Sequence, residues 1–174
     1  MSTLKILYPQ SNVDTVAVTI TLASLASDTN LLAGRESDVI DNRTNLDIDH
    51  ILGGYIKLGT SPTASRVVEV WAFAPLKGAS GTFTYPDVMD GADSNETITS
   101  ANVKYAGWLA LVASMVTDAT TGLVLPFAGK SVRSLFGAMP PLYGIFVAHS
   151  SGVNLDSTAG NHYIGYQRVQ AQSV

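Results

Sequence analysis

The chain has 174 residues, 46% of them hydrophobic and only 14% charged, with a net charge of −4. That length makes one domain with a substantial core. The negative balance argues against a basic nucleic-acid-binding surface, and the absence of cysteine excludes disulfide scaffolds, thiolate zinc sites and thiol nucleophiles.

With 10 basic and 14 acidic residues for the whole exterior, against roughly 25% charged residues in a typical domain, part of the surface must be neutral or apolar. Interface cores have that composition, so the chain is expected to be covered by neighbours, as a homo-oligomer or within a larger assembly. Residues 1–15, with Pro9, Asn12 and Asp14, read as an extended arm ahead of a single domain over 16–174. Met1 to Leu7 has no basic region followed by a long apolar run, so no secretory signal is expected. The longest apolar stretch, Ala106 to Met115, is broken by Gly107 and Ser114 and falls short of the ~20 residues of a membrane helix. Synthesis in a cytoplasm is therefore expected, with the N-x-T triplets at Asn42 and Asn95 as chance matches.

The elements are strands. Val16 to Leu22 alternates, with Val16, Val18, Ile20 and Leu22 on one face. Asp47 to Leu58 places Ile48, Ile51, Tyr55 and Ile56 around Gly53-Gly54, where a bulge or bend is predicted. Val67 to Ala74 is a central strand closed by Pro75, with large and small residues on opposite faces and cover on both. Between Lys77 and Lys104 lies a long loop rich in glycine and acidic residues. Trp108 to Val116 follows as a strand, since Gly107 opens it and Val112 and Val116 interrupt its helical propensity. Leu123 to Phe127 is short, and Pro126 puts it at an edge. A helical turn is predicted over Ser131 to Phe136, where Val132, Leu135 and Phe136 share a face. Tyr143 to His149 and Tyr163 to Val169 complete about eight strands. The fold class is all-β, a two-sheet antiparallel sandwich of jelly-roll type, with an immunoglobulin-like sandwich as the alternative.

No catalytic pattern stands out. Gly129-Lys130-Ser131 ends like a phosphate-binding loop, but Val124 stands where that motif needs its first glycine, and Pro126 lies inside. No G-x-S-x-G elbow exists, and Ser80 in Gly78-Ala79-Ser80-Gly81 does not supply one. The acids Asp87, Asp90, Asp93 and Glu96 offer oxygens enough for calcium without the spacing of a calcium hand, and they read as turn formers. Asp47, Asp49 and His50 crowd one strand start, with His149 and His162 about 100 residues away; solvated or turn-capping roles are favoured over metal ligation. Neither a cofactor nor an enzymatic activity is expected. Trp71 and Trp108 read as core, whereas Phe83 and Tyr85 in the long loop are candidates to anchor a partner subunit.

The segments Ala33-Gly34-Arg35-Glu36-Ser37 through Asp41-Asn42-Arg43-Thr44-Asn45, Gly59-Thr60-Ser61-Pro62-Thr63 and Asn161-His162-Tyr163-Ile164-Gly165-Tyr166 together resemble small structural proteins of tailed bacteriophages. The resemblance spans about two thirds of the chain and carries no catalytic residue. It implies a virion component, a jelly-roll head decoration (cement) protein on the capsid surface with the major capsid protein as partner. By analogy at fold level a trimer is expected, with a dimer as the alternative. A neck or tail connector and a receptor- or glycan-binding module are the other roles such a sandwich takes. In the decoration role Leu7 and Tyr8 of the arm and Phe83, Tyr85 and Met89 of the loop are the expected contacts.

Overall fold

The computed structural model describes residues 4–7 and 15–173. It is 44% strand and 8% helix, and every strand pairing is antiparallel. One sheet is built from β1 (Leu4–Leu7), β2 (Thr15–Ala17), β5 (Asp49–Lys57), β11 (Val124–Ser131) and β13 (Tyr163–Ser173). Its order is β1–β13–β5–β11, with β2 also on β13. The other contains β3 (Ala33–Glu36), β4 (Ile40–Asp41), β6 (Val67–Phe73), β9 (Ser94–Thr97), β10 (Leu109–Val116) and β12 (Leu142–His149). Its order is β10–β6–β12–β3–β9, with β4 also on β12. A separate ribbon pairs β7 (Leu76–Lys77) with β8 (Phe83–Thr84).

The period-2 pattern of β6 explains the layers. Val68, Val70 and Ala72 point into the core shared with Leu52, Ile56, Ile164 and Tyr166 of the first sheet. Trp71 and Phe73 point the other way, into a second core with Met89, Ile98, Leu109, Phe146 and Ala148. The second sheet is thus buried on both faces, and all eight residues of β12 are buried. The cover on its outer face is the segment 85–105, which was expected to be a loop. It holds β9 and a helix α1 (Ala101–Tyr105), whose N-cap Ser100 accepts from Asn102 N–H.

Other expectations needed correction. The strand predicted over Val16 to Leu22 stops at Ala17, because Val18 N–H still bonds Ile164 of the first sheet while Thr19 carbonyl accepts from Asp38, in the link between β3 and β4 of the second. The alternation survives as the chain crosses, with Val18 and Leu22 buried. No bulge interrupts β5 at Gly53-Gly54; the register shift lies opposite, in β11 between Phe127 and Lys130, with Gly129 at φ +75°. The glycines serve close approach instead: a Cβ on Gly54 would overlap the Tyr163 carbonyl oxygen of β13. Pro126 lies on an edge strand as expected. The predicted turn appears as α2 (Val132–Phe136), capped by Ser131 accepting from Ser134 N–H at 3.0 Å.

The strand ends sort the loops into two groups. Segments 58–66, 117–123 and 150–162 meet at one end, where Gly59 N–H bonds Asn154 O, Thr63 N–H bonds Ser151 O and Thr117 N–H bonds Arg66 O. Segments 41–48, 74–82, 105–108 and 132–141 lie at the other. There β13 runs beyond Val169, its last residue paired with β5, and residues 170–173 pair with β1 alone.

Candidate functional site

Three polar clusters tie distant segments together, and the first is centred on the buried Asp47 and His50. Asp47, with no side-chain exposure, accepts from Arg168 Nε (2.7 Å) and Nη2 (3.1 Å), from Gln170 Nε2 (2.9 Å) and from His50 Nε2 (2.9 Å). His50 Nδ1 then accepts the Tyr143 hydroxyl at 2.9 Å, and the ring stacks on Tyr166 at 4.2 Å. Those partners assign the neutral imidazole with its proton on Nε2. Burial pushes the His50 pKa down against the pull of Asp47. Burial also pushes Asp47 up, but the bonds from Arg168, His50 and Gln170 outweigh it and hold the carboxyl below its ordinary value. Asp49 turns away from this cluster: it accepts Ser131 Oγ and Arg133 N–H at the start of α2.

The other histidines are elsewhere. His149 Nδ1 is 2.9 Å from Ser151 Oγ and its Nε2 3.1 Å from the Leu25 carbonyl. His162 receives Lys57 N–H and donates to Asp156 O at 2.8 Å. Among the described residues no three of His, Asp and Glu converge to hold a metal ion.

The second and third clusters clamp segment 85–105 onto the second sheet. The acids of the long loop hold turns and clamps. Asp87 takes Thr99 N–H and Oγ1, Asp90 takes Ala92 N–H, and Glu96 takes Ser94 Oγ. Asp93 binds Arg35 Nε at 2.5 Å and both donors of Thr21. Under α1, Lys104 Nζ donates to Glu69 (2.7 Å) and Leu31 O, and Trp71 Nε1 donates to the same Glu69 oxygen. Glu36, fully buried on β3, accepts Gly91 N–H at 2.7 Å and Asp90 N–H at 3.3 Å. Burial raises its pKa from 4.5 to about 7 in spite of those two bonds, with Asp90 and Glu96 adding to the rise. The unfolded chain loses this proton near pH 4.5 and the folded chain near 7, so Glu36 favours the fold below pH 4.5. That contribution fades as the pH rises through this window, by about 3 kcal/mol in total. His50 and His149, held below 6.5 by burial, slope the opposite way, so the difference between wild type and Glu36→Gln isolates the carboxyl. Urea unfolding at about pH 5 and about pH 8 is expected to give Glu36→Gln a relative gain at the higher pH; equal differences at both would refute this.

Among the described residues no buried side-chain nitrogen or oxygen lacks a partner. The apolar surface is less well covered. Trp108, expected in the core, is 46% exposed, whereas Trp71 is buried as expected. Trp108 precedes β10 and lines a groove of about 520 Å³ with Pro75, Leu76, Phe136, Met139 and Pro141 at the 74–82 end. Leu76 is 71% and Tyr105 75% exposed, and Leu111, opposite Trp71, is 44% exposed. The expected contact Phe83 pairs with Lys77 on the same ribbon as Leu76 and carries the Arg43 guanidinium 5.6 Å over its ring. Tyr85 and Met89 are engaged in the second core, Met89 at 4% exposure. Tyr8 and the Leu7 side chain lie outside the described residues. Gly129-Lys130-Ser131 is part of strand β11, and Ser80 Oγ meets Thr82 Oγ1 in the turn of the ribbon. The apolar end was foreshadowed only by the low charge; nothing in the local pattern separates Trp108 from Trp71.

No protein-family model, curated protein or solved structure matches this chain.

Proposed function

We propose that this protein is a jelly-roll structural component of a tailed-phage virion, a homo-oligomeric decoration protein without catalytic activity that binds the assembled capsid and stabilises it across subunit joints. The strand order supports the jelly roll: β2–β13–β5–β11 faces β3–β12–β6–β10, and the chain crosses between sheets at each of these strands except the β6-to-β10 step, which is the double Greek-key path. The observation that carries the functional reading is the contrast between interior and surface. Among the described residues the buried polar side chains are all bonded, while one end leaves Leu76 and Trp108 exposed in an apolar groove, with Tyr105 and Leu111 exposed beside Trp71. Such a patch is what a partner covers. The β1–β13 ribbon at the same end, with Ile6 58% exposed, is the reach that a joint-spanning protein needs. Binding only to the assembled shell adds free energy to that state alone, and lattice repetition multiplies each contact.

Cosedimentation with purified expanded capsids tests the proposal. The wild-type chain is expected to pellet with them, and Leu76→Ser/Trp108→Ser to lose at least about tenfold in affinity, because an aromatic anchor dominates such contacts. Leu76 is 71% and Trp108 46% exposed, so a melting curve of the variant, expected to stay cooperative, separates lost binding from lost folding. A wild-type chain that remains in the supernatant ends the proposal.

A further inference from the structure

We propose that the loop end opposite the apolar groove carries a carbohydrate site that takes a neutral hexose, free or at the terminus of a glycan. A pocket of about 640 Å³ opens there, within the range of small-molecule sites. Its floor is Leu58 and Leu155, both buried and joined by a β-bridge. Its wall is Ser24, Lys57, Thr60, Asn154, Asp156 and Ser157.

Backbone bonds tie the wall together, and four of its polar side chains are exposed. Ser24 N–H bonds Asp156 O at 3.2 Å and holds Ser24 at φ +59°; Gly59 N–H bonds Asn154 O, and Gly122 N–H bonds Gly59 O. Asp156 Oδ1 accepts Thr158 N–H (2.9 Å) and Asn161 Nδ2 (2.8 Å). Among the described residues, by contrast, the hydroxyls of Ser24, Thr60 and Ser157 and the amide of Asn154 enter no side-chain hydrogen bond within the protein.

The chemistry of the wall selects the ligand. Lys57 Nζ lies 3.2 Å from Asp156 Oδ2, so the pocket carries no net charge to attract a phosphate or carboxylate. No aromatic ring lines it to stack a nucleobase. What it presents is a set of hydroxyl and amide groups able to donate and accept, beside one paired cation and anion. Sugar hydroxyls, which also donate and accept at once, match that inventory. If the apolar end seats on a shell, as the functional reading above holds, this pocket faces away from it, toward glycans in the medium.

Titration of the isolated full chain, followed by amide NMR, tests the site without reference to capsids. The probes are D-glucose, D-galactose and D-mannose at millimolar concentration, with an immobilised glycan array as the second arm. At least one probe or array glycan is expected to bind. Shifts in the titration should centre on residues 24, 57–60, 121–122 and 153–157. Asn154→Ala should weaken the interaction about tenfold by removing hydrogen bonds while leaving the melting temperature and capsid cosedimentation unchanged. Array binding lost in Asn154→Ala without monosaccharide shifts places the ligand at a glycan terminus. No binding in either arm, shifts centred elsewhere, or undiminished binding by Asn154→Ala overturns the site, and none of these touches the capsid reading.

Discussion

Replacing Asp47 with alanine is expected to destabilise the fold by about 3–5 kcal/mol, the range for breaking a buried ion pair from one side. The carboxylate is completely buried and gathers four donor atoms from three residues: Arg168 twice, Gln170 and His50. Without it the His50 N–H has no acceptor in an interior site, and a buried donor left unmatched costs its full desolvation. Arg168 is partly exposed and can turn toward water, so the larger share of the loss falls on His50. A domain of this size loses roughly 2–4 °C per kcal/mol, which puts the drop in melting temperature at about 10 °C. Asp47→Asn keeps one acceptor and is expected to fall between the two. A drop of only 1–2 °C for Asp47→Ala, on the order of a surface substitution, would show that the cluster does not hold β5 to β13.

The adjacent glycines of β5 provide the second large effect and its own control. A Cβ at Gly54 would overlap the Tyr163 carbonyl and come within 3.0 Å of Ile164 Cα. Both are backbone atoms of β13, the neighbouring strand, so no rotamer change can relieve the clash and the strands must separate. Gly54→Ala is expected to cost the upper end of the ~1–3 kcal/mol seen for overpacked sites. At Gly53 the nearest atoms are Phe127 O at 3.3 Å and Ala128 Cα at 3.4 Å, on the irregular part of β11. There a methyl group fits after a small shift, and Gly53→Ala should cost less than about 1 kcal/mol. Chemical denaturation of the two variants decides; equal losses would mean that the glycines are not distinguished by the approach of β13.

Where a segment's own residues carry a hydrophobic period, the sequence was legible. Val67 to Phe73 and Leu142 to His149 stand out because both faces of these strands are buried, which leaves long apolar runs. Pro126 marks an edge because it cannot donate to a neighbour, and Val132, Leu135 and Phe136 mark a helical turn because they share a face; the Ser131 cap on it appears only in the structure. Ser94-Asn95-Glu96-Thr97 has no such period; it is a strand because β3 offers it backbone partners. The acidic residues were visible as turn formers, but not the clamps they make on Arg35 and Thr21, which come from 58 and 72 residues away. Asp47 and His50 could be paired by inspection of neighbours. Arg168 and Gln170, which complete the cluster, stand 121 and 123 residues further along.

By itself, then, the sequence determined an antiparallel all-β chain with a neutral exterior, because strand periodicity and charge count are properties of neighbouring residues and of composition. Which tryptophan is covered, where the acids dock, and how a hydrophobic end comes to oppose a polar one were decided only in three dimensions. Each of these depends on which distant segments the closing sheets bring together, and the energy of those contacts is not written in any local stretch of chain.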